Sequence, residues 1–249
     1  MIKQYRITLR SEEAFSFRSD MAYPLYGEIM RAVSPDFGEM MHEQGFTPLS
    51  QHIERVDGNT IRWIVTLFSE WAEQEIAPFL EGVSSVSLDV SDLTLRTEGA
   101  PEVIQTTLKD ILTKAAGQED ASAIREIRLV SPTTFKSAGE YVLFPSASLI
   151  IRSLAASWNA AAEEVVLDDE DMLRMLTEGV RINGYRLSST TFRMKGQHIP
   201  AFTGTLRFHV RLAAPLQTIW NALLQFGAYA GVGIKTALGM GGMTLYDTI

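Results

Sequence analysis

The chain has 249 residues, 46% hydrophobic and 21% charged, with a net charge of −8 and no cysteine. That length holds one large domain or two small ones with buried cores, and the apolar content speaks against disorder. Without cysteine there can be no disulfide, thiolate metal site or cysteine nucleophile.

Residues 2–9 alternate like a strand and lack the long apolar core of a signal peptide. Residues 24–32 and 36–44 read as helices, split by Ser34-Pro35 and stopped by Gly45. Residues 50–56 and 60–67 flank Asp57-Gly58-Asn59, a hairpin signal. A helix containing Pro78 follows over 70–82, and residues 84–96 are rich in strand formers. The order β-α-β-β-α-β is the ferredoxin-like plan shared by RNA-recognition domains.

The second half varies the same plan. A connecting helix over 106–116 leads to a strand over 124–130, a hairpin over 135–144 and a helix over 149–162 around Trp158. The greasiest stretch, residues 141–151, is broken by Pro145 and two serines, so no membrane span is expected and the protein is expected in the cytoplasm. A short helix over 173–179 follows the acidic run Asp168–Asp171, which reads as a linker or helix start. Strands over 181–194 and 202–212 are separated by Gly196-Gln197-His198-Ile199-Pro200. The helix over 216–229 puts Leu216, Ile219, Trp220, Leu223 and Phe226 on one face, and a strand over 243–246 closes the chain. The expected fold class is α+β: two tandem ferredoxin-like domains, residues 1–118 and 119–249, with a C-terminal glycine-rich loop.

Net charge argues against a polyanionic partner until its distribution is read. Residues 1–118 hold 10 Lys and Arg against 18 Asp and Glu, whereas residues 119–249 hold 12 against 12. Six of the latter acids crowd into Glu163-Glu164 and Asp168–Asp171, which leaves the rest of that half locally basic.

Two Gly-x-Gly units, Gly231-Val232-Gly233 and Gly239-Met240-Gly241, flank a short insert with Lys235. Dense glycine lets backbone approach a ligand and turn N–H groups onto phosphate oxygens. A P-loop fails, because Ile234 precedes Lys235 and Tyr229 stands where its first glycine belongs. A dinucleotide fingerprint fails at Thr236 and lacks the preceding strand. A phosphate cradle and a plain turn between a helix and a last strand both fit what remains.

Four histidines are the candidates for acid–base work near neutral pH. His42 ends a predicted helix, where the macrodipole favours a cation; an exposed helix-end cap is the bland alternative. His52, starting a strand, and His198, in a loop, read as structural or incidental. His209 shares one strand face with Arg207 and Arg211, opposite Leu206, Phe208, Val210 and Leu212. With Arg193 and Lys195 on the preceding strand, read as sharing a face, this is either a solvated surface or a basic ladder that tracks phosphates. No pair of base-stacking aromatics is evident on these strands. Neither histidine pairs, a calcium loop nor a serine elbow is present, so no metal or other cofactor is expected.

The glycine pattern over Gly231–Gly241 resembles the C-terminal loop of the CRISPR repeat-processing endoribonucleases of the RAMP superfamily, the Cas-six family. Ser131-Pro132-Thr133-Thr134-Phe135, Phe144-Pro145 and Ser153-Leu154 with Trp158-Asn159 are similar in order to that family, and Met41-His42-Glu43 with Phe46-Thr47 and Ser50 resembles its histidine segment. The resemblance runs over nearly the whole chain and is strongest at the C-terminus. It implies two ferredoxin-like domains that bind the repeat of a precursor CRISPR RNA and cut it without metal. Attack by the RNA's own 2′-hydroxyl would leave a 2′,3′-cyclic phosphate and a 5′-hydroxyl. His42 would serve as general acid or base. Gly231, Gly233, Lys235, Gly239 and Gly241 would grip RNA, joined by Arg193, Lys195, Arg207 and His209.

Some members add a tyrosine and a lysine near the histidine. Here Met30 stands closest to the tyrosine position and Gln44–Pro48 holds no lysine, so the stabiliser of the crowded phosphate is unnamed. Arg10, Arg18 and Arg31 are the nearest basic residues in sequence. A CRISPR effector complex and a second copy of the chain are further partners the resemblance allows. A non-catalytic RAMP subunit that binds guide RNA is the rival reading, and a small-nucleotide enzyme a third.

Overall fold

The computed structural model describes residues 1–43, 47–88, 93–117, 123–162 and 164–246, with the side chains of 42 and 43 outside that description. Its first sheet is built on β1 (Ile2–Arg10), whose alternation buries Tyr5, Ile7 and Leu9 on one face, while Ile2 on the other face joins the second core. Helices α1 (Ala22–Ala32) and α2 (Pro35–Glu43) precede β2 (Leu49–Arg55) and β3 (Thr60–Leu67). The β2–β3 turn is closed by Asp57, whose carboxylate accepts the Asn59 N–H at 2.9 Å. Helix α3 (Glu70–Gly82) starts at Ser69, whose hydroxyl accepts the Ala72 N–H.

Beyond α3 the expected single strand is three: β4 (Ser85–Leu88), β5 (Leu93–Thr97) and β6 (Glu102–Thr106). Strands β5 and β6 run in series along one edge of β1, interrupted at Gly99, whose φ of 75° breaks the extended chain. The sheet order is β2-β3-β1-β5-β4, with β6 also on β1, which is the ferredoxin-like arrangement with its last strand split. The connecting helix α4 (Leu108–Ala116) begins two residues later than expected, because Thr107 and Asp110 form a capping box.

The second sheet has order β10-β11-β7-β12. Its elements follow the chain as β7 (Glu126–Thr133), the small hairpin β8 (Phe135–Ser137) and β9 (Glu140–Val142), α5 (Ala147–Ala161), α6 (Glu170–Gly179), β10 (Val180–Met194), β11 (Gln197–Val210), α7 (Ala214–Ala230) and β12 (Met243–Leu245). Asp169 of the acidic run caps α6 by accepting the Met172 N–H. The loop expected over 196–200 is smaller than the sequence suggested. Only Lys195 and Gly196 turn, with φ of 45° and 73°, and Gln197 onward pairs with β10. Pro200 is tolerated in β11 because pairing to β7 begins only at Phe202, so β11 has one neighbour there.

Two large apolar clusters fill the two layers. The first holds Tyr5, Leu25, Trp63 and Leu80; the second holds Leu154, Trp158, Leu206 and Phe226, and takes in Ile111 and Ala115 of α4. A third, small cluster of Phe192, Ile199, Ala201 and Met240, with Tyr23 beside it, pins the turn end of the β10–β11 hairpin to α1 and the glycine segment. Gln51 ties sheet to helix inside the first layer, donating to the Ala22 carbonyl and accepting from Trp63 Nε1, both at 2.8 Å.

Candidate functional site

The glycine segment leaves α7 at Gly231 and folds back on itself. The Gly231 N–H donates to the Gly227 carbonyl and the Val232 N–H to the Gly241 carbonyl, both at 2.8 Å. Its remaining partners come from two stretches distant in sequence. Ile234 and Gly241 donate to the carbonyls of Thr134 and Pro132, Gly242 donates to Ser131 Oγ, and Gly233 donates to Ser153 Oγ. The N–H groups of Gly231, Gly233 and Gly241 are therefore spent inside the protein. These three donors already have acceptors, so a contact of these glycines with RNA would use other atoms.

The glycines serve close approach instead. A Cβ on Gly233 would meet the Thr134 carbonyl oxygen at 2.4 Å, one on Gly239 the Ala22 Cβ at 2.3 Å, and one on Gly241 the Val232 carbonyl oxygen at 2.3 Å. All four glycines from 231 to 241 carry positive φ. Ala237 is buried in the first cluster, so the segment is a joint pressed between the layers. Ser50 Oγ adds to it by donating to the Tyr229 carbonyl at 2.6 Å.

What this joint presents outward is its insert. Lys235 sits in the left-handed region, φ 60° and ψ 34°, and the N–H groups of Thr236 and Ala237 open a short turn before its first bond, from Leu238 N–H to Lys235 O. A left-handed residue followed by a right-handed turn makes a concavity of N–H groups suited to an anion. The three non-glycine residues with positive φ among those described are Ala138, Lys195 and Lys235. The two lysines line one cleft, and holding each there costs about 1 kcal/mol.

That cleft, about 420 Å³, lies between the layers. It is lined by Tyr23 and Tyr26 of α1, by Met194 and Lys195 of the hairpin, and by Gly233 and residues 235–238 of the glycine segment. Met41 and Thr47 line it as well, one on each side of residues 42–46. His42 occupies the last turn of α2, next to Met41; its side chain lies outside the described residues. Burial, and secondarily the Tyr23 hydroxyl, push the Tyr26 phenol above its ordinary pKa, so it stays a neutral hydrogen-bond donor.

The basic residues expected to form one ladder fall into two groups. Lys195 is in the hairpin turn rather than on a strand face with Arg193, and only Lys195 reaches the cleft. Arg193, opposite His198, approaches the Asp20 carboxylate at 3.9 Å. Arg207 stands opposite Gly184, about 30 Å away along the strand, where Glu126 pairs with it at 2.5 Å. His209 is exposed near that same end, opposite Arg181. Arg10 and Arg31 are paired with acids, Glu98 and Glu28, outside the cleft lining. Met30 packs against the first cluster instead of lining the cleft.

Tyr23 and Tyr26 are the cleft residues sequence reasoning passed over. Their spacing of three put them on one helix face, which reads as core; the polar tips were the available signal. His52 is structural, as expected: it is buried and its Nε2 lies 3.6 Å from the Glu54 carboxylate. Among the described residues no group of three or more His, Cys, Asp or Glu is arranged to hold a metal ion, and no helix is long and apolar enough to cross a membrane.

Residues 127–243 match the family described as CRISPR-associated endoribonuclease Cas6. A Streptococcus thermophilus protein of that description is 35% identical over 229 residues, 92% of each chain. A Mycobacterium tuberculosis protein of the same description is 25% identical over 218 residues, 87% of this chain and 69% of the other. Among solved structures, a Cas6 product complex superposes with a TM-score of 0.80 at 21% identity, covering 99% of this chain and 100% of that one. Thermus thermophilus Cas6 does so with a TM-score of 0.73 at 20% identity, covering 98% of each. These structures share the fold of two ferredoxin-like units.

Proposed function

The chain belongs to the Cas6 family of CRISPR-associated endoribonucleases, and we propose that it cuts precursor CRISPR RNA once within each repeat, without metal, at the cleft between its two layers. The observation that carries this reading is the convergence of four features there: the end of α2 that bears His42, the left-handed Lys195 and Lys235, and the Tyr26 hydroxyl. Solved Cas6 structures described as product and substrate-mimic complexes support a repeat RNA as the ligand.

In this mechanism the 2′-hydroxyl beside the scissile bond loses its proton and attacks the adjacent phosphorus. The bond from phosphorus to the 5′-oxygen breaks, and that oxygen takes a proton. The products are a 2′,3′-cyclic phosphate and a 5′-hydroxyl. His42 handles one of the two protons, as base at the 2′-oxygen or acid at the 5′-oxygen, for roughly 10²–10⁴-fold. The lysine missing from Gln44–Pro48 is replaced by Lys195 and Lys235, whose ammonium groups offset charge on the five-coordinate phosphorus, while Tyr26 donates a neutral hydrogen bond. Residues 1–118 thus supply His42 and Tyr26, and residues 119–249 supply the lysines and the RNA grip. Arg207 and His209 would meet phosphates farther along the repeat.

The test is labelled repeat RNA incubated with the protein in EDTA. Cleavage by wild type, its loss in His42→Ala, and no cut when the scissile 2′-hydroxyl is deoxy are the expected results. His42→Ala cutting at the wild-type rate removes the histidine from the mechanism. Tight binding with no cleavage points to a non-catalytic guide-RNA subunit.

A further inference from the structure

A second groove, about 950 Å³, opens from the cleft and shares Tyr23, Met194 and Lys195 with it. One side is lined by Phe15, Ser16 and Met21 from the stretch between β1 and α1, Pro24 of α1 and Leu93 of β5; the other is the tip of the β10–β11 hairpin. Its interior is apolar and its rim cationic.

The rim is fixed by one carboxylate. Asp20, buried, accepts Arg18 Nε at 2.9 Å and Nη2 at 2.8 Å, and Arg193 Nη1 lies 3.9 Å from it. Arg18 and Arg193 remain about half exposed. A bidentate pair uses only one edge of a guanidinium, so donors are left for an incoming anion. Two arginines and Lys195 against one aspartate leave the rim positive on a chain whose net charge is −8.

Apolar walls beneath guanidiniums suit an unstacked nucleotide, with its base face on aromatic and aliphatic side chains and its phosphate on the cations. A paired stem presents no free base face. Resting on the endoribonuclease reading above, the occupant is set by continuity, because a strand whose scissile phosphate sits in the cleft has its neighbouring nucleotide at the groove mouth. We infer that this groove holds the unpaired nucleotide flanking the scissile phosphate, its base on Phe15, Met21 and Leu93 and its backbone on Arg18 and Arg193. Seating that base fixes which phosphate is cut.

Repeat RNAs with a single abasic site, scanned across both sides of the cut, test this through binding and cleavage. One abasic position should weaken wild-type binding roughly tenfold, and on that RNA Phe15→Ala should cost nothing further. Ser16→Trp, an exposed wall position that would plug the groove, should reproduce the loss at an unchanged melting temperature. Arg193→Ala should lower the salt slope by about one. The inference is overturned if Ser16→Trp binds like wild type, or if Phe15→Ala loses equally on intact and every abasic RNA. Wild type that cuts no repeat RNA would sink the endoribonuclease reading, while the binding measurements would still decide the groove.

Discussion

Gly242 lies flat against the His52 ring: a Cβ at 242 would stand 2.6 Å from His52 Cγ and 2.8 Å from Cδ2. The contact links β2 of the first sheet to the strand end that leads into β12 of the second. With Gly239 against Ala22, it sets how closely the two layers approach, and so the width of the cleft between them.

Gly242→Ala should therefore destabilise by about 2–3 kcal/mol, since the buried ring it would strike does not yield readily. Adding His52→Ala makes room for the new methyl, so the double variant should be more stable than the two single losses sum to. Denaturant unfolding of the four proteins measures this. Simple additivity would mean the contact is not the source of the cost.

Gly233→Val separates joint from cradle. Its Cβ would strike the Thr134 carbonyl oxygen, its φ of 92° disfavours any L side chain, and its N–H bond to Ser153 would be strained. The melting temperature should fall before RNA affinity does. A variant that melts normally yet binds RNA poorly would return the glycine to the RNA interface.

Much of the architecture could be read in the chain, because period-2 and period-3.6 patterns and the Asp57-Gly58-Asn59 turn carry local information. The strand break at Gly99 escaped notice, since nothing local distinguishes a broken edge strand from its end. The site was less legible. Ser131, Thr134 and Ser153 could be matched to a family pattern, but their acceptance of the glycine segment's N–H groups is a tertiary fact. Lys195 read as a strand residue because a lysine in a left-handed turn is locally unfavoured, whereas the two-residue hairpin turn that it forms with Gly196 requires positive φ at both positions.

Acid should loosen the same joint. His52 beside Glu54, with smaller help from Arg62 and Arg6, holds that carboxylate below its ordinary value despite partial burial. A depressed carboxylate contributes stability above its unfolded pKa and loses it as pH falls through the folded one. Wild type should thus lose more melting temperature than Glu54→Gln between about pH 5 and pH 3.5. Parallel curves for the two proteins would show that the pair contributes nothing.

Lys235 and Arg207 should differ in what their removal does. Both offer a cation to phosphate, so either Ala variant should lower the salt slope of RNA binding by about one. Lys235 lines the cleft and Arg207 lies at the far end of the sheet, already paired with Glu126. Single-turnover cleavage at saturating protein should fall for Lys235→Ala, by roughly tenfold or more, and stay near wild type for Arg207→Ala. Equal effects on the cleavage step would place Lys235 among the binding contacts alone.

Tyr26→Phe tests the neutral donor. Removing one hydroxyl leaves the ring's packing against the first cluster intact, and the raised pKa means no charge is lost at neutral pH. If the hydroxyl bonds a phosphate oxygen only as charge builds there, kcat should drop roughly tenfold or more while KM stays put. The alkaline limb of the rate profile should be unmoved, because Tyr26 is protonated throughout the neutral range. A Tyr26→Phe protein with wild-type kcat would reduce the residue to a cleft wall and leave Lys195 and Lys235 as the only described groups proposed to meet the phosphate charge.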